Sequence, residues 1–294
     1  MKVDFSLNSH FTISEICVNI CPICHGTAVS QTSRGSNPLL HCSDCDAHFL
    51  QHVPSQHDLD AYYSDTYVMS NKETHASEHR RLFRIPEMYW LIAQLEKIGV
   101  SPSSSILDIG CDKGYFLDQC RRFGYVAAGV EPSISARAYC RNVGLNVYAH
   151  IKDVQQQYDV ITMWHVLEHF TEPHALLNEC NTKLKPGGIV CIRVPNFDSL
   201  WSRILGTYWI WFQPRNHYVH YSKKSLLSLI RQHGFESIHC KSRKPNDAQT
   251  FKAGLLADNI LYKNFRYKQS LKKKLGRIYE HITGVELFLI ARKK

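Results

Sequence analysis

Ser105-Ile106-Leu107-Asp108-Ile109-Gly110-Cys111-Asp112-Lys113-Gly114-Tyr115 is the stretch on which the fold turns. Its first residues form a short apolar run broken only by Asp108, the pattern of a strand buried on both faces. Gly110 and Gly114 bracket a turn whose backbone can pass close to a ligand. The segment from Tyr115 onward reads as a helix, and its first amides are free to form a polar cradle. Ser101-Pro102-Ser103-Ser104 is a clear break before it. Strand, glycine turn and helix in that order predict the first unit of a parallel sheet.

Moving outward, short apolar runs predict further strands over 126–130, 158–163 and 189–194. Helices are expected near 115–123, 134–143 and 173–184, with stops at Gly124, Gly144 and the Lys185-Pro186-Gly187-Gly188 turn. A helix over 225–233 ends at Gly234, and strands over 235–240 and 285–291 are expected to form an antiparallel edge. The fold class is therefore α/β: a Rossmann-like, mostly parallel seven-stranded sheet with helices on both faces, preceded by a small zinc-ribbon-like module. The boundaries are an arm and metal module over 1–50, a linker and helix over 51–99 (the helix from about Ser77 to Lys97, interrupted at Pro86), and an α/β domain over 100–294.

The second strand ends in Gly129-Val130-Glu131-Pro132, which places a carboxylate where Rossmann-like folds hydrogen-bond ribose hydroxyls. A dinucleotide site would show G-x-G-x-x-G, its third glycine admitting a pyrophosphate. Here the pattern is D-x-G-x-x-x-G. An acid aimed into the turn repels a diphosphate and suits the ammonium group of an amino-acid-bearing cofactor.

Cys21-Pro22-Ile23-Cys24 and Cys42-Ser43-Asp44-Cys45 are 17 residues apart, giving C-x2-C-x17-C-x2-C. Two such turns complete a tetrahedral S4 shell that suits Zn(II), closed to water and hence structural. Redox dithiols or an iron centre use similar spacing. His25, His41 and His48 are read as bystanders.

The chain has 294 residues, 44% of them hydrophobic, enough for one large domain plus a small one. Eleven cysteines without an apolar leader point to a reducing cytosol rather than a secreted scaffold. No stretch reaches the roughly 20 apolar residues of a membrane span, so the expected location is cytoplasmic, with any membrane contact peripheral. The net charge of +9 is uneven: residues 241–294 hold 14 Lys or Arg against Asp247, Asp258, Glu280 and Glu286. That segment, interleaved with Phe251, Tyr262, Phe265, Tyr267 and Tyr279, either is a set of solvated helix faces or meets phosphate, anionic lipid or RNA.

ILDIGCDKGYF, GVEPS, YDVITMWHVLEHF, LKPGG and HYSKKSLLSLIRQHGF, over roughly 100–240, together make the chain resemble the class I S-adenosylmethionine-dependent methyltransferases. The resemblance implies that Asp108, Gly110 and Gly114, with Cys111 and Asp112 in the same turn, surround the methionyl part of the cofactor. It also implies that Glu131, followed by Pro132, holds the ribose, and that Trp164 and His165 flank the adenine or sulfonium side. Many relatives have glycine at Asp112, and Asp tolerates the left-handed backbone at about 1 kcal/mol. Glu168 and His169 are read as structural, bonding the loop that follows.

Methyl transfer is an in-line displacement, so positioning does most of the work, and a hydroxyl or carbon acid also needs a base. His217 and His220, on the carboxyl side of the sheet, are the candidate bases. Arg215 is a candidate partner for an acidic group, and Trp201, Tyr208, Trp209, Trp211 and Phe212 a candidate apolar wall. The paired cysteines, Asp60-Ala61-Tyr62-Tyr63 and the HYS segment are similar to bacterial methyltransferases of sugars and of glycan or lipid-linked precursors, some of which carry a further C-terminal domain. An RNA acceptor is the alternative, motivated by the metal module and basic segment, although Trp164-His165-Val166-Leu167 stands where enzymes methylating base amines have an Asn-Pro-Pro-Tyr type motif. A non-catalytic cofactor-binding scaffold is the third reading.

Overall fold

The computed structural model describes residues 15–32, 38–62, 89–209, 211–243 and 284–294. The expected arm, Tyr63 and Tyr67, the start of the helix with Pro86, and the basic segment over 244–283 lie outside the described residues.

The central sheet has seven strands: β6 (Ser105–Ile109), β7 (Val126–Val130), β8 (Asn146–Tyr148), β9 (Tyr158–Trp164), β10 (Leu184–Pro195), β12 (Phe235–Arg243) and β13 (Glu286–Lys293). Their order is β12-β13-β10-β9-β6-β7-β8. From β10 to β8 every pairing is parallel, whereas β13 is inserted antiparallel between β10 and β12. The expected antiparallel pair exists, but β13 is an interior strand, which is why Leu287 to Ala291 are all buried. Strand β8 is too short and too polar for its sequence to announce it.

Between the strands lie α3 (Tyr115–Arg122), α4 (Ile134–Asn142) and α5 (Pro173–Lys183). Ser133 caps α4, its hydroxyl accepting the Ala136 amide. A single 3-10 turn over Leu167–His169 follows β9. The chain runs from β6 outward through β7 and β8, then returns to β9 on the other side of β6. That reversal makes the carboxyl ends of β6 and β9 the crevice where ligands bind in doubly wound sheets.

The N-terminal residues form β1 (Glu15–Cys17) paired with β5 (His52–Pro54), and β2 (Val29–Gln31), β3 (Leu39–Cys42) and β4 (His48–Leu50). Helices α1 (Gln56–Ala61) and α2 (described over 89–97) follow. After β10 come α6 (Leu200–Leu205), then β11 (Val219–His220) and α7 (Lys223–Gln232). Strand β11 joins the small N-terminal sheet, whose order is β11-β4-β3-β2. Val219 pairs with Phe49 and His220 with His48. One hydrophobic core accordingly runs from Cys21, Ile23 and Phe49 through Val219, Tyr221 and Leu226 into the main sheet. The Ile23 carbonyl is gripped by His174 Nε2 at 2.9 Å and Gln232 Nε2 at 3.0 Å. Among the described residues no helix is long and apolar enough to cross a membrane.

Candidate active site and cysteine cluster

At the tip of β6, Asp108 is 2% exposed and accepts a hydrogen bond from Thr162 Oγ1 of β9 at 2.6 Å. The turn after it is tight at each predicted position. Gly110 has φ +69°, and a Cβ there would meet Val166 Cγ2 at 2.6 Å. Gly114 has φ +70°, and a Cβ would stand 2.4 Å from Leu145 Cδ1. Asp112 has φ +52°, so the position where relatives use glycine is left-handed here as well. The Cys111 side chain turns inward to pack with Leu117 and Cys140, leaving its main chain to line the turn.

Glu131, buried at the end of β7, accepts the Asp112 amide on Oε2 and the Ser133 amide on Oε1, both at 2.9 Å. Burial pushes its carboxyl above the usual range, and the two amides oppose that by favouring the ionised form. It thereby ties the glycine turn to the start of α4. Pro132, partly buried beside it, has its carbonyl bound by the Arg137 guanidinium. Trp164 ends β9 and packs between Phe116 and Phe288, with centroids at 5.3 and 5.9 Å. Its indole N–H is buried with no partner among the described residues.

A buried carboxylate at the turn, an acid held rigidly at the next strand tip, and an orphaned indole donor suit a cofactor that carries an ammonium group, a ribose and an aromatic base. The same set is hostile to a diphosphate.

His165 is tied into a network of ring and carboxylate contacts. It has φ +55°, and its ring lies flat against Trp211, with centroids 4.8 Å apart and planes 2° apart. Nδ1 donates to Glu168 Oε1 at 3.2 Å and Nε2 to Glu286 Oε1 at 3.0 Å. Burial alone would lower its pKa, but the two carboxylates outweigh burial and raise it, so the ring is held as an imidazolium. Glu286 also accepts Arg193 Nε at 3.0 Å and its terminal nitrogen. Despite the opposing effect of burial, Arg193 and His165 pull the Glu286 carboxyl down to about 2. Glu168, His165, Glu286 and Arg193 form a chain of alternating charge, buried except for the partly exposed His165 ring. Sequence reasoning missed it, although a signal existed: Arg193 and Glu286 are opposite charges in two otherwise apolar strands, and buried charges come in pairs.

His217 and His220 are both 3% exposed. Burial lowers His220 to about 3 and His217 to about 4. His220 stacks on Phe212 and tilts against Phe197. His217 Nδ1 donates to the Trp211 carbonyl at 2.8 Å, fixing the tautomer with Nε2 bare. Arg215 is exposed. The expected aromatic wall splits: Trp209 is buried, Trp211 and Phe212 cover histidines, and Trp201 and Tyr208 face solvent.

In the N-terminal sheet the four cysteines converge, with all four sulfurs within 4.8 Å of one another. Cys21 Sγ lies 3.5 Å from Cys45 Sγ, and Cys24 Sγ 3.5 Å from Cys42 Sγ. Zn–S bonds of about 2.3 Å at the tetrahedral angle put sulfurs about 3.8 Å apart, so the group fits zinc with little movement. A disulfide would need roughly 2.05 Å. The hydrogen bond between Cys21 and Cys45 pulls the Cys21 thiol down and pushes the Cys45 thiol up, so this pair shares a proton, while burial raises Cys24.

The sequence pattern of a family described as "Methyltransferase domain" matches residues 79–240, more than half of the chain. The chain belongs to that family. The chain is similar to two ubiquinone biosynthesis O-methyltransferases. That of Shewanella sp. is 30% identical over 96 residues, covering 29% of this chain and 41% of that protein. That of Proteus mirabilis is 29% identical over 146 residues, covering 46% and 58%. The chain thus spans about half the length of these curated relatives. Among solved structures, magnesium protoporphyrin IX methyltransferase from Synechocystis PCC 6803 with bound S-adenosylhomocysteine (SAH) shares the fold at TM-score 0.52 and 12% identity, covering 82% of this chain and all of that one. A plantazolicin methyltransferase in complex with SAH shares it at 0.52 and 15%, covering 80% and 95%. The chain therefore has the α/β fold its glycine turn predicts.

Proposed function

We propose that this protein transfers a methyl group from S-adenosylmethionine to a hydroxyl or carbon of a small molecule: a sugar, a glycan or a lipid-linked precursor. The observation that carries the methyl-transfer reading is the pairing of buried Asp108 with Thr162 across the β6–β9 switch point, beside a turn braced by Glu131. Asp108, with the backbone of Gly110, Cys111, Asp112 and Gly114, would hold the methionyl end. Glu131 and Pro132 would hold the ribose, with Trp164 at the base. When bound, S-adenosylmethionine supplies an electrophilic methyl on a sulfonium. The chain's own part is to orient the acceptor and to exclude water, a role suited to the His165–Trp211 stack. We assign His165 to holding Glu168 and Glu286 in place rather than to cofactor contact, and His220 to packing. Of the two expected bases His217 is the better placed, since its Nε2 keeps a lone pair, and it can act as a base only while no ion occupies that nitrogen.

The exposed apolar residues on α6 and the turn after it, Trp201, Ile204, Leu205 and Tyr208, favour an acceptor with an apolar portion. The oxygen chemistry named for the curated relatives supports a hydroxyl acceptor. The four cysteines are assigned to structural zinc. To test the acceptor, protein is incubated with methyl-labelled S-adenosylmethionine and fractionated extract, and label is expected in the small-molecule or lipid-linked fraction. Label in RNA alone would replace this reading with the RNA one, and cofactor binding with no transfer to any fraction would leave a scaffold. Glu131→Ala is expected to weaken cofactor binding at least about tenfold by calorimetry, the worth of one charge-assisted hydrogen bond.

A further inference from the structure

Glu168 is 1% exposed, and its two oxygens are unequally served. Oε1 accepts from His165 Nδ1, whereas Oε2 is buried with no hydrogen-bond partner among the described residues. An ionised oxygen left bare inside a protein carries its full desolvation cost, so the site calls for a compensating group. Two histidines converge on the same place: a carboxylate oxygen of Glu168 and a ring nitrogen of His169 and of His217 all lie within 4.8 Å of one another.

The orientation of both rings is fixed from behind. His169 Nδ1 donates to the Asn216 carbonyl and His217 Nδ1 to the Trp211 carbonyl, each at 2.8 Å. A nitrogen facing a carbonyl must carry the proton, so Nε2 of each ring is left with its lone pair. Each ring thus keeps a lone pair to give, and two imidazoles grouped this closely with a carboxylate make a donor set for a cation. Backbone carbonyls holding the far nitrogen of a ligating histidine are also the usual outer shell of a metal site.

We propose that Glu168, His169 and His217 bind one divalent transition-metal ion at the carboxyl end of β9, separate from the four-cysteine cluster. The donor set of two imidazoles and one carboxylate suits Zn(II), Co(II) or Fe(II) and leaves one or more positions open for water or for an oxygen atom of a bound ligand. Tetrahedral ligands at about 2.0–2.2 Å lie roughly 3.4 Å apart, so the donor atoms, all within 4.8 Å of one another, close in by at most about 1.4 Å as the ion enters. His169 is the partly exposed member and marks the way in. The ion site does not depend on the cofactor reading: metal content reports on the first and methyl transfer on the second.

The test is equilibrium dialysis of the full-length protein against Co(II), with bound cobalt and zinc counted per chain and the cobalt spectrum recorded. Wild type is expected to hold two ions, one with the sulfur-to-cobalt charge transfer of four thiolates, or zinc in that place, and one with the weaker bands of a nitrogen and oxygen shell. His169→Gln and, separately, His217→Gln are expected to lose the second ion or to bind it at least about tenfold more weakly, with near-ultraviolet circular dichroism unchanged. A single ion in wild type overturns the proposal. So does a second ion that survives both substitutions, which would place it at the His41, Asp46 and His48 group instead.

Discussion

Glu131 and Glu168 stand on either side of β6 and are both buried carboxylates, yet they are held in opposite ways. Glu131 is satisfied by two main-chain amides from a neighbouring turn and a helix start. Glu168 depends on the side chain of His165, which depends on Glu286, which depends on Arg193. Main-chain donors come with the fold and cannot rotate away. A relay of side chains stands or falls together, and the low dielectric that strengthens each link also magnifies the loss of any one.

The contrast can be broken most directly at Glu286. Replacing it by Gln leaves the buried Arg193 guanidinium without its carboxylate and His165 with Glu168 alone, and the expected loss is about 3–5 kcal/mol in urea unfolding. A loss under about 1 kcal/mol would show that the relay is no more fragile than the amide-held acid. A smaller effect is expected at the rigid turn: Gly114→Ala sets a Cβ 2.4 Å from Leu145 Cδ1 at φ +70°. Because the leucine end can yield, about 2 kcal/mol of stability should be lost. Wild-type stability with intact cofactor affinity would mean that the turn is looser than its geometry indicates. The smallest effect sharpens the picture. Asp112→Gly removes a left-handed non-glycine residue and should raise the thermal midpoint by the equivalent of about 0.5–1 kcal/mol. A fall in the midpoint would assign Asp112 a side-chain role that outweighs its backbone strain.

The same distinction explains what the sequence discloses. The glycine turn, the acid after β7 and the cysteine knuckles are legible because each is a local device: the residues that need one another lie within a few positions, and conformation or ligand geometry dictates the residue type. The left-handed Asp112 is legible for the same reason. The role of His165 is not, because its partners are three and 121 positions away and nothing in Trp164-His165-Val166 signals an imidazolium. His220 looks like a base in a linear reading and becomes a strand residue only when β11 finds β4, 170 positions upstream. The short β8 fails for lack of an apolar run, and β13 is displaced from edge to interior because strand order is set by packing, not by sequence position.

The pairing of β11 with β4, together with the Leu50 amide bonded to the Tyr218 carbonyl at 3.0 Å, bears on how the molecule can be cut. An excised piece beginning at residue 100 would retain the glycine turn, but it would bare the backbone rung of Val219–His220 and the apolar faces of Val219, Tyr221 and Leu226. A raw strand edge flanked by uncovered hydrocarbon is an invitation to self-association. The knuckle sheet is thus the missing wall of the larger half, and separating the two would trade one covered body for an adhesive one.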